Sequence, residues 1–347
     1  MLSRSFSALL LLCSLTAPAA TLVSQVPAAP LTLLSQTYLP DITGDFDHFA
    51  YDLKRNHLFV SAEEHHSVEM FDLETGKHLQ SITGFKTPHS LAFAAEKDEL
   101  LVCDGGDSAL LLLSGASLQR TGRTALIDGS ATGAGDSPDA AYYDAANRLY
   151  YIGNGGASAK QPTSRISIFS VDQGKLIGDF DVAGNNVEAI GIDHQRGRLY
   201  VNIRDQKQVG VYDLATRKLL TTWTAPGMNR NTSLLVDQES ARIFVAGRSP
   251  GMLYVFDSNG KVIAQLPCTE RNDEMNWDPA THLLYVSGTQ GLSVFHQDTP
   301  DTYTEFTRIP TNGAKTGVLV RDKGLLFLVH PKTDVDVAGL LVYRIDR

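Results

Sequence analysis

Seven polar residues, Asp47, His89, Asp139, Glu188, Thr232, Asp273 and Lys315, recur 41 to 50 residues apart along a chain of 347. Four of them are carboxylates. Strict spacing puts Pro138 in the third place, and a loop one residue shorter puts Asp139 there. If a fold brings such positions together, the carboxylates can chelate a divalent cation and a histidine can carry a proton. Asp47, Glu188 and Asp273 are therefore the expected metal ligands, and His48 or His89 the expected proton carriers. Oxygen ligands alone would favour calcium or magnesium; a histidine in the set would bring zinc or copper. Flanking positions add Asn186, Arg230, Asn231, Glu274 and Asn276, and further along each interval come Asn154, Asn202, Arg204, Arg248 and His330. Arg204 and Arg248 offer flat, forked donors for a carboxylate or sulfate. The expected ligand contacts are Asp139, Asn186, Arg204, Asn231, Arg248, Glu274, Lys315 and His330.

Two carboxylates about 6 Å apart repel by roughly 3 kcal/mol at an effective dielectric near 20, and by under about 1 kcal/mol in bulk water. An open, wet site tolerates that repulsion. A narrow one needs a cation, a raised pKa or a cationic ligand. Asp and Asn also favour the turns that precede strands, so a polar lining has a purely structural reading as well. Other motifs are weaker. Glu63-Glu64-His65-His66 has metal-binding residue types, but neighbours on a loop point apart. Gly153-Asn154-Gly155-Gly156 matches a phosphate cradle by composition only, with no following helix to supply a dipole. No Gly-x-Ser-x-Gly elbow, His-Glu-x-x-His or Cys-x-x-Cys is present.

The elements that must position these residues are strands. A short apolar run, usually after a charged residue, repeats seven times, as in His57-Leu58-Phe59-Val60, Arg198-Leu199-Tyr200-Val201 and Arg242-Ile243-Phe244-Val245. Its anchor residues are Phe59, Leu101, Tyr150, Tyr200, Phe244, Tyr285 and Phe327. An alternating strand ending in Asp precedes most anchors, as at Asp52, Asp144, Asp193, Asp237 and Asp278. A third strand ending in a turn follows, as at Asp72, Asp213 and Asp257. Four short strands per repeat, bounded by Gly, Asn and Asp, make a propeller blade. The expected fold is all-β, a seven-bladed β-propeller. Its seventh repeat lacks a fourth strand, which the N-terminal segment Leu31 to Leu39 should supply, closing the last blade and removing a free edge. Length alone would suggest two domains; the repeat makes 31–347 one.

Residues 1–20 read as a signal peptide: Arg4, a leucine-rich run from Ala8 to Leu15, and Ala17-Pro18-Ala19-Ala20 for cleavage near Ala19 and Ala20. Residues 21–30 form a flexible lead-in. Cys13 is leader filler, since bulky Leu12 precedes it. The leucine-rich run is too short to span a bilayer, and no later stretch offers about 18 consecutive apolar residues. The net charge of −9, from 30 basic and 39 acidic residues, argues against nucleic acid and anionic membranes as partners. Cys103 and Cys268 fall in blades nearly opposite each other, too far apart for a bridge. Residues 129–135 make a surface connection between the second and third repeats.

Arg198-Leu199-Tyr200-Val201 and Val211-Tyr212-Asp213-Leu214-Ala215-Thr216 resemble the YVTN-repeat propellers, the YncE-like group of exported bacterial proteins. The resemblance runs from Phe46 to the C terminus. It implies the propeller fold and a periplasmic or secreted location, and assigns no reaction. The expected function is a binding or interaction module with an acidic ligand or metal pocket at the channel mouth, because no recognisable nucleophile or ligand spacing compels an enzyme. The alternatives are a metal-dependent lactonase- or lyase-like enzyme using the same pocket and an envelope scaffold. The partner would be a small molecule or a protein, and the chain a monomer.

Overall fold

The computed structural model describes residues 30–127 and 137–346. The leader, Cys13, most of the lead-in and the 129–135 connection lie outside the described residues. Among the described residues, 28 strands form seven antiparallel sheets of four, and there is no α-helix. The seven-bladed propeller read from the repeat is the fold.

Blade one shows how the sequence builds each sheet. Its strands run Phe46–Asp52, His57–Ala62, Ser67–Asp72 and His78–Thr83 from the channel outward. The second strand carries the anchor, and Leu58, Phe59 and Val60 are fully buried. Neighbouring blades cover both of its faces, so it reads as a continuous apolar run where an exposed sheet would alternate. The outermost strand faces solvent over most of its length. The aspartates that end the strands hold turns. Asp52 accepts the backbone N–H of Lys54 at 2.9 Å, and Asp72 accepts that of Thr75 at 2.8 Å. Arg55 bonds Asp52 at 2.8 Å and reaches Asp98 of blade two at 2.7 Å. These carboxylates serve local geometry.

The blades, spanning 46–83, 88–125, 141–181, 187–223, 231–267 and 274–309, with 316–345 as the seventh, close into a ring. Each inner strand packs on the next, and Phe46–Asp52 packs on Thr316–Val320. Apolar clusters lie between adjacent blades: Phe244 of blade five stands 5.7 Å from Trp277 and 5.7 Å from Tyr303 of blade six, centre to centre. Cys103 and Cys268 are buried and unbridged. Among the described residues, no helix is long and apolar enough to cross a membrane.

Leu31–Leu39 supplies the missing strand, pairing Leu31 with Ile345 and Leu39 with Ala338 at the outer edge of blade seven. Gly76 of blade one locks this seam. Its carbonyl accepts the Thr37 hydroxyl at 2.8 Å, its φ is +70°, and a Cβ there would stand 2.5 Å from Val342 Cγ2. Gly76→Ala is therefore expected to destabilise by about 1–3 kcal/mol, through left-handed strain plus the clash. Denaturant unfolding checks this, and an unchanged midpoint would remove Gly76 from the seam.

Candidate functional site

Each inner strand begins at the same end of the channel, and its first residues meet there. One cavity of about 540 Å³ is lined by Asp47, His89, Asp139, Glu188, Thr232, Asp273 and Lys315, one from each blade. His48, Asn154, Asn186, Arg204, Arg248 and Glu274 line it too. So does Glu63, from the loop after the second strand of blade one. Farther along the inner strands the lining turns apolar, with Tyr142, Ile190, Ile192, Leu234 and Val236, before Gln238 and Arg321.

One wall, from blades one to three, gathers carboxylates around two histidines. His89 Nδ1 lies 3.1 Å from Asp47 Oδ2, 3.7 Å from Asp139 and 4.0 Å from Glu63. His48 Nδ1 is 3.0 Å from Glu274 across the mouth, and its Nε2 is 3.5 Å from Asp47. Burial alone would raise the Asp47 carboxyl, but His48, His89 and Lys315 together hold it well below the carboxylate range. Burial works against the imidazolium forms too. Asp47 and Glu274 still lift His48 well above its usual value, and Asp47, Asp139 and Glu63 lift His89 to about 10. Glu63 shows the cost of crowding: burial and then the Asp47 charge push it up to about 8. Asp139 and Glu274 are raised by burial as well.

The opposite wall, from blades four to seven, is built on cations. Arg204 Nη1 stands 2.6 Å from Glu188, and its Nη2 donates to Thr232 Oγ1 at 2.9 Å. Arg248 Nε donates to the Asn272 carbonyl at 2.8 Å while Nη2 bonds Asp273. Lys315 Nζ bridges Asp273 at 2.9 Å and Asp45 at 2.8 Å. Burial outweighs attraction for the first pair: Glu188 is raised to about 8 and Arg204 is lowered. Buried ion pairs commonly carry such a desolvation penalty.

The expected metal ligands separate on this geometry. Among the described residues, the groupings whose ligand atoms all lie within 4.8 Å of one another are Asp47, His48 and Asp139, and Asp47, Glu63 and His89. Glu188 and Asp273 belong to neither; guanidinium groups and Lys315 hold them on the other wall. Two expected ligand contacts turn away from the cavity. Asn231 is buried and donates to Asn202 Oδ1 at 3.1 Å and the Gln208 carbonyl at 3.0 Å, because the pleat gives the channel to its neighbour Thr232. His330 is fully buried at a sheet position paired with Gly339, with Nδ1 3.1 Å from the Pro331 carbonyl. Asn202 and Asn276 likewise bond backbone inside the fold. Glu63 is the residue the sequence reading passed over. Its run does diverge: Glu64 accepts the Asp45 N–H and His66 meets the Lys86 carbonyl, leaving Glu63 alone on the cavity.

Comparison with protein-family models yields no match, and no curated protein matches by sequence. Solved structures do match in shape. A chain from the crystal structure of a mitotic checkpoint complex superposes with a TM-score of 0.72 at 14% identity, covering 99% of this chain and 100% of that one. A chain of the hydrazine synthase of Kuenenia stuttgartiensis gives 0.68 at 15% identity, covering 86% and 99%. At these identities the likeness is one of fold alone.

Proposed function

We propose that this protein is an exported, YVTN-like propeller that binds a small charged ligand at the mouth of its channel, together with a divalent cation. The observation that carries this reading is the convergence of charged or titratable groups from all seven blades on one cavity. Asp47, Glu63 and His89 would hold the cation. Their mixed oxygen and nitrogen donors suit zinc or manganese better than calcium. At neutral pH a cation must displace the proton that His89 otherwise carries, so binding should release protons. The leader-like first twenty residues and the repeat resemblance support export, and the intact mass of the exported chain reads cleavage near Ala20 directly.

Protein purified without chelator, then titrated with zinc, manganese and calcium while its melting is followed, tests the reading. A saturating cation at about 100 times its Kd adds roughly 2.7 kcal/mol of stability. We expect zinc or manganese to raise the melting temperature with one equivalent bound, and Asp47→Ala to abolish both effects. A flat response to all three metals would remove the cation from the proposal. A lactonase- or lyase-like activity is the second reading, favoured by the same Asp47, Glu63 and His89 grouping, and it requires turnover that disappears with the bound metal.

A further inference from the structure

The arginine wall has a chemistry of its own. Arg204 and Arg248 occupy the same place in adjacent blades, four residues beyond the anchors Tyr200 and Phe244. Their side chains are only 20% and 19% exposed, so two guanidinium groups share a largely buried wall. Each is pinned along part of its fork, Arg204 by Glu188 and Thr232, Arg248 by Asn272 and Asp273. One remaining donor has nothing to hold: Arg204 Nε is buried without a hydrogen-bond partner. A guanidinium N–H withdrawn from water and left unmatched is costly.

The local charge count points the same way. Arg204, Arg248 and Lys315 face three carboxylates, Glu188, Asp273 and Asp45, of which Asp45 reaches only Lys315. Burial disfavours the ionised form of Glu188, and this leaves the two arginines short of negative charge. Pre-positioned forks of this kind match a planar carboxylate. Across the cavity stand Asp139 and Glu63, acceptors suited to hydroxyl groups. They repel a dianion more strongly than a monoanion, which disfavours a phosphate ester. The volume of about 540 Å³ lies within the range of pockets that take small molecules.

We infer that Arg204 and Arg248 seat the carboxylate of a small polyhydroxylated monoacid, whose hydroxyl groups face the acidic wall. This rests on the reading of the cavity as a ligand seat and names the class of ligand.

Gluconate, glucose and glucose 6-phosphate serve as matched probes, with thermal shift and titration calorimetry as readouts on the full exported chain. Gluconate should raise the melting temperature where glucose does not, and the phosphate ester should bind more weakly than gluconate. Arg204→Gln and Arg248→Gln should each weaken gluconate roughly 10- to 100-fold. Arg248→Lys keeps the charge without the fork and should also weaken it. This variant guards against misfolding of the Gln forms, since Lys315 still neutralises Asp273. Equal responses to gluconate and glucose, a preference for the phosphate, or unchanged affinity in Arg248→Lys and Arg248→Gln would each overturn the inference. If zinc or manganese shifts melting and gluconate does not, the inference falls and the cation reading stands; if no probe acts, both fall.

Discussion

Deletion of the chain through Leu39 is expected to lower the melting temperature by more than about 10 °C and to make the protein aggregate. The deleted segment includes the whole outer strand of blade seven, which pairs along Ala338–Ile345 and buries Leu31 and Leu39. Burying two leucines contributes about 3–6 kcal/mol, and the ladder adds about 1 kcal/mol per bond before the entropy of ordering is subtracted. A net loss of some 5 kcal/mol moves a domain of this size by about 10 °C or more. The freed edge at Ala338–Ile345 would be open to pairing with other chains. A second variant separates the strand from the covalent link. Asp346 N–H bonds the Pro30 carbonyl at 2.9 Å, so residues 30–39 moved to follow Arg347 can re-enter as a hairpin. That permutant restores the sheet but leaves blades seven and one joined only by packing. Recovery of most of the lost stability would show that the strand matters more than the tie. A deletion variant melting within 2–3 °C of the full chain, measured against about 2–4 °C per kcal/mol, would refute the closure argument.

The second large effect is with pH. Glu63 and Glu188 have side chains 19% and 7% exposed, and burial, the larger cause for both, raises each from the ordinary 4.5 to about 8. A carboxyl whose folded pKa is raised binds more protons folded than unfolded. Its stability contribution is full below about 4.5 and is lost as pH climbs through about 8. His48 and His89, also raised, act in the same direction, from about 6.5 upward. Asp47, held low, acts oppositely and only in acid: its contribution disappears as pH falls below about 4. Stability should therefore peak near pH 4–6 and fall on the order of a few kcal/mol by pH 8. Glu63→Gln and Glu188→Gln should each flatten that fall, because an amide has no proton to lose. Melting curves at one-unit pH steps measure this. Stability that rises between pH 5 and 8, or Gln variants that leave the slope intact, would contradict the picture.

Much of this site follows from register. Counting twelve residues back from an anchor finds Asp47, His89, Glu188, Thr232, Asp273 and Lys315, because hydrogen-bonded hairpins fix how far the first strand leads the second. Asp139 needs the one-residue shift, since blade three enters by a different connection. The same arithmetic would have found Glu63. It stands four residues past Phe59, where Asn154, Arg204 and Arg248 stand past their own anchors, and all four line the cavity. Asn202 and His330, two and three past theirs, fall within the sheet instead. Pairing was less legible than position. Which carboxylate meets a histidine and which an arginine depends on contacts across the ring, between residues as distant as His48 and Glu274. Spacing within one blade carries no information about those contacts. The expected grouping of Asp47 with Glu188 and Asp273 divides between the two walls for that reason.

The apolar stretch formed by Tyr142, Ile192 and Val236 has a consequence for traffic through the ring. Hydrated ions shed water reluctantly against such a lining, so the charged mouth is the favoured end for an ionic ligand to enter.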